Sequence, residues 1–135
     1  MSVSRYWNIR ISMEKYSYKL MDIFSEELHP IDDSEVQVPS QKQIYRFLRL
    51  IFTTEQLSAE CGVMCMAYID RLVALTGLSI LPVNWRRIVL GALILASKVW
   101  EDQAVWNVDF LNVFPHLTVK DLNNLERAVL SALQF

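Results

Sequence analysis

Glycine and proline are scarce in this chain, with 3 and 4 among 135 residues. Few positions favour tight turns, so the composition points to packed helices rather than to strands joined by hairpins. An excess of charge of one sign is also missing. Thirteen Lys and Arg stand against fifteen Asp and Glu, a formal net charge of −2. A surface that neutralises phosphates needs clustered cations, so nucleic acid is not the expected partner. No apolar signal core follows Met1, and Ser2 does not fit an N-myristoylation motif. The ten uncharged residues from Ile88 to Ser97 are half the roughly 20 that a membrane-spanning helix needs. A soluble protein is expected.

Reactive residues are few as well. Histidine occurs twice, as His29 and His116, each beside a proline and neither with a sequence neighbour to orient it as a base. Gly62, Gly77 and Gly91 are isolated, so no phosphate-cradling loop is present. Cys61 and Cys65 stand four apart on an apolar helical segment. They are half of a metal site without a second half, and small reduced core residues are the expectation, suited to a reducing compartment. Glu26-Glu27 and Asp32-Asp33 lack the spacing of a calcium loop and read as solvated surface. No catalytic residue, cofactor or metal site is expected, and the chain is not read as an enzyme.

Helical patterning is what the chain does have. Ser40-Gln-Lys-Gln43 is a capping box that opens a first helix, with Ile44, Phe47, Leu48 and Ile51 on one face. Thr53-Thr-Glu-Gln56 repeats the pattern and is expected to open a second helix through Tyr68 and Leu72 to a stop at Gly77. Pro82 suits the first turn of a third helix, about 82–101, apolar almost all round and therefore central. Asn107 is expected to cap a short fourth helix over 108–114, and Thr118 a fifth that runs to the end. Leu122, Leu125, Val129, Ala132 and Leu133 form the buried stripe of that helix. Upstream, Met13 to Leu28 has helical periodicity, ended by His29-Pro30, and 31–38 reads as a linker. The fold class is all-α: five helices around a central one, over 40–135, preceded by an N-terminal helical extension and linker over 1–39.

One cation breaks the pattern. Lys98 ends the apolar run of the third helix at the spacing of Gly91 and Leu95, so it continues the apolar stripe. A charge in that position needs a partner. Glu126, beside the stripe of the fifth helix and stacked with Leu130 and Leu133, is the candidate. Two readings stand: an ion pair within the domain at the edge of the core, or an exposed apolar patch carrying one donor and one acceptor for a partner's backbone. Trp100 and Trp106 follow Lys98, as interface anchors or as core side chains.

Tyr68-Ile-Asp-Arg71, Leu95-Ala-Ser-Lys98 and Leu125-Glu-Arg-Ala-Val-Leu130 resemble, in order, the signatures of the cyclin box. Within that family, Asp22 to Pro30, Gln41 to Phe47, Asn84 to Ala92 and Ser97 to Asp109 are most similar to the cyclin Y group. The resemblance implies an activating regulatory subunit of a cyclin-dependent protein kinase, here of the PCTAIRE/PFTAIRE type. It implies that Lys98 and Glu126 grip the segment around the kinase αC helix and turn that helix inward. Val99, Trp100, Glu101, Leu130 and Leu133 match neighbouring contact positions. Ser40-Gln-Lys-Gln-Ile44 stands where many cyclins carry Met-Arg-Ala-Ile-Leu, so a substrate-docking groove is not expected. Val99-Trp100 in place of the common Phe-Glu suggests a distinct kinase preference. The alternative is a helical adaptor that uses the same box to hold a non-kinase protein. The resemblance implies a cytoplasmic and/or nuclear protein and a piece of a longer chain. Membrane association of the full-length form, through acylation, is not encoded in these residues.

Overall fold

The computed structural model describes residues 22–133. Its elements are α1 (Gln41–Glu55), α2 (Ala59–Thr76), α3 (Trp85–Trp100), a 3-10 segment (Asn107–Asn112) and α4 (Val119–Ala132). The fold is all-α, and no strand occurs among the described residues. Residues 22–24 are helical and are followed by a turn, so the expected N-terminal helix stops short of Leu28. The rest of that expectation lies outside the described residues.

Local chemistry sets most helix ends. The Ser40 hydroxyl accepts from the Gln43 amide at 3.1 Å, and the Gln43 side chain accepts from the Ser40 amide at 2.8 Å. Thr118 and Asp121 repeat this reciprocal pattern at the start of α4. Gly77 ends α2 at φ 69°, the left-handed region where a side chain is disfavoured. Thr53-Thr-Glu-Gln56, however, opens nothing. Helix α1 runs through Glu55 and stops at Gln56, which takes φ 53°. The cap of α2 is Ser58, whose amide and hydroxyl both donate to Glu101 Oε1, at 2.7 and 2.9 Å. That long-range carboxylate ties the start of α2 to the end of α3.

Pro82 also lies outside its expected helix. It sits in a turn stitched by Asn84, which accepts from the Leu81 amide and donates to the Ser79 carbonyl, and α3 begins only at Trp85. Asn107 begins a 3-10 segment rather than capping an α-helix. The Asp109 carboxylate fixes the start of that segment by accepting from the Trp106 amide at 3.0 Å.

Helix α3 is central, packed between α2 and α4. Every residue from Leu90 to Ser97 is buried. Gly91 is where α3 and α4 cross: a Cβ there would fall 2.7 Å from Val129 Cγ2, closer than real Cβ contacts allow. Phe47 of α1 meets Trp85 edge-on, with ring centroids 5.1 Å apart, and packs against Phe114 in a tilted arrangement.

Two arginines pin the N-terminal segment to the start of α3. Arg87 is buried and donates to the carbonyls of Ile23 and His29, at 2.7 and 3.2 Å. Arg86 pairs with Glu26 and, at 2.8 Å, with Asp32. Glu26 is buried and Asp32 half-buried, so the solvated reading holds only for their neighbours Glu27 and Asp33. The Arg86 guanidinium holds the Asp32 carboxyl well below its ordinary value of 3.8.

Candidate functional site

Lys98 occupies the last turn of α3, where the helix dipole favours a cation and the buried stripe emerges into solvent. Its Nζ lies 2.6 Å from Glu126 Oε1. The lysine side chain is 32 % exposed and the glutamate 19 %. This is a pair at the rim of the core, open to water on one side. The same Oε1 accepts a second bond, from Asn107 Nδ2 at 3.3 Å. Asn107 is itself buried, and its Nδ2 also donates to Asn123 Oδ1.

Exposed apolar groups flank Lys98 and Glu126 in sequence. Val99 (56 %), Trp100 (46 %) and Leu130 (37 %) are exposed, and Trp106 is 66 % exposed. Trp100 remains tethered, because its indole N–H donates to the Tyr68 hydroxyl at 3.2 Å. Tyr68 is buried, so the tryptophan is held by the core while much of its ring faces water. Such an arrangement presents area with little loss of freedom on docking.

Two expected contact residues face inward. Glu101 gives its carboxylate to Ser58 at the start of α2. Leu133 is fully buried, because it lies four residues after Val129 and so follows the core stripe rather than the Glu126–Leu130 edge. The structure thus brings together Lys98 and Glu126 and adds Asn107; Val99, Trp100, Trp106 and Leu130 are exposed, with Trp100 held to Tyr68 of α2.

The cysteines are separate from this rim. Both are free and buried. Burial pushes the Cys61 thiol up to about 11, with the Glu101 carboxylate adding to the effect. It pushes the Cys65 thiol up to about 12. At neutral pH both are uncharged and poor metal ligands or nucleophiles.

The model of the cyclin N-terminal domain matches residues 12–135. This chain belongs to the cyclin family. No solved structure matches it. Cyclins are regulatory and non-catalytic, and the domain implies a cyclin-dependent kinase as the partner. Among the described residues, no helix of this cyclin is long and apolar enough to cross a membrane. The Tyr68-to-Arg71 motif lies inside α2, Lys98 at the end of α3 and Glu126 in α4.

Sequence reasoning found the charged pair but not its support. Asn107 reads in sequence as a helix cap, and nothing local connects it to Glu126, nineteen residues on. Ser58–Glu101 and Arg86–Glu26 are likewise long-range, joining residues 43 and 60 apart.

Proposed function

We propose that this cyclin is an activating subunit for a kinase of the PCTAIRE/PFTAIRE type, with 40–135 as its box and 1–39 as an extension. The observation that carries the kinase-binding reading is the partly exposed Lys98–Glu126 pair, with Val99, Trp100, Trp106 and Leu130 exposed nearby in sequence. A donor and an acceptor side by side suit a peptide segment, with Lys98 donating to carbonyls and Glu126 accepting from N–H groups. Exposed apolar side chains such as Val99 and Leu130 offer a partner area to dehydrate on docking. Contacts made only with the inward αC helix shift the kinase toward its active state. The kinase type rests on the similarity of 22–30, 41–47, 84–92 and 97–109 to the cyclin Y group.

Co-purification with PCTAIRE- and PFTAIRE-type kinases tests both parts. Lys98→Ala with Glu126→Ala removes two charge-assisted contacts, each worth about 1.5–3 kcal/mol. We expect affinity to fall at least ~100-fold while the helical circular dichroism is unchanged. Undiminished binding of the double variant refutes the site. Binding to other cyclin-dependent kinases in preference to these refutes the type.

An adaptor role is the second reading, favoured by a separate apolar recess of about 550 Å3 lined by Ile44, Leu48, Met66, Ile80, Leu81 and Trp85. Activation of a purified kinase separates the two readings, since an adaptor for a non-kinase protein leaves kinase activity unchanged.

A further inference from the structure

We infer that Asn107 is the residue that positions Glu126 for its partner, an inference that rests on the kinase-binding reading of the rim. Glu126 Oε1 is shared: Lys98 donates to it at 2.6 Å and Asn107 at 3.3 Å. If Lys98 turns outward to a partner carbonyl, Glu126 loses its ion pair. A free glutamate side chain then samples several rotamers, and ordering it again opposes binding. The Asn107 bond remains and keeps the carboxylate at the rim.

The geometry of Asn107 suits this task. Its side chain is buried, and it starts the 3-10 segment that is held by the Asp109 bond to the Trp106 amide and by the buried Phe110. The amide can face only one way. Nδ2 has two protons, and two acceptors meet it, Asn123 Oδ1 and Glu126 Oε1. A flipped amide would set Oδ1 against both acceptors. In the observed orientation Oδ1 is buried with no protein hydrogen-bond partner. Aspartate there would set a carboxylate against two acceptors, and alanine would offer Glu126 no donor.

The test is a double-mutant cycle on kinase affinity, with Asn107→Ala and Asn107→Asp each combined with Glu126→Ala. Circular dichroism is recorded for every variant. Each Asn107 variant should weaken kinase binding about tenfold, mainly through faster dissociation. Neither should weaken it further once Glu126 is alanine. Equal losses in both backgrounds would make Asn107 merely structural and overturn the inference, as would unchanged binding in the Glu126 background. A second arm needs no kinase. In the isolated chain, the Asn107 side-chain amide proton resonances should move on Glu126→Ala, and unmoved resonances overturn the inference. If the wild-type chain binds no cyclin-dependent kinase, the proposed function fails by itself, and this second arm still decides whether Asn107 holds Glu126.

Discussion

At the scale of single residues, the decisive groups are charges at the boundary of the core. Lys98 escapes the cost of burial because its helix ends there and Glu126 meets it. Arg86 resolves the same problem differently, by pairing with both Glu26 and Asp32. Glu26 has almost no solvent of its own, so Arg86→Ala leaves a buried carboxylate without compensation. The expected loss is about 3 kcal/mol, read as a lower urea midpoint with an unchanged slope. A loss under ~1 kcal/mol would mean that the N-terminal segment is not pinned through this pair. Lys98 was legible in sequence because it interrupts an apolar stripe. Arg86, one residue before the buried Arg87, gives no such sign, since its partners lie more than fifty residues upstream.

At the scale of elements, periodicity and caps reveal most of the fold. The first box, Ser40–Gln43, and the last, Thr118–Asp121, form as read because nothing distant competes with them. Thr53–Gln56 fails as a cap because Glu101 reaches Ser58 instead. The short fourth helix becomes a 3-10 segment for a related reason. Its start is tied by Asp109 and its first residue by Asn123 and Glu126, contacts that hold a short, tightly wound segment in place of a regular helix. Gly91 is the element-scale position most sensitive to change. Gly91→Ala brings better helix propensity, worth up to about 1 kcal/mol, but forces α3 and α4 apart at Val129 and Leu125. Overpacking of this kind costs about 1–3 kcal/mol, so a net lowering of the melting temperature is expected. A rise would show that the α3–α4 crossing is looser than described.

At the scale of the whole molecule, carboxylates set the response to acid. The Asp32 pKa is lowered chiefly by its bond from Arg86, and that of Asp121 chiefly by the Thr118 amide. A depressed pKa means that the folded state favours the charged form. Both groups therefore stabilise the fold above their ordinary value of about 3.8, and that stability is lost as pH falls below it. Thermal unfolding should show a midpoint that drops between pH 4 and pH 2, with a smaller drop in Asp32→Asn. An equal drop in the variant would assign the acid response elsewhere.

The pair at the rim belongs to the fold and, on the proposed reading, to the partner as well, and exchanging its two charges separates those roles. Lys98→Glu with Glu126→Lys retains opposite charges across the same gap but reverses which side donates to a bound segment. Kinase affinity of this exchanged variant is the most direct measurement. The predicted result is an unchanged helical circular dichroism spectrum, a modestly lowered melting temperature because a carboxylate now ends α3, and loss of kinase binding by at least ~100-fold. Wild-type affinity in the exchanged variant would show that the pair serves only the fold, and would contradict the account.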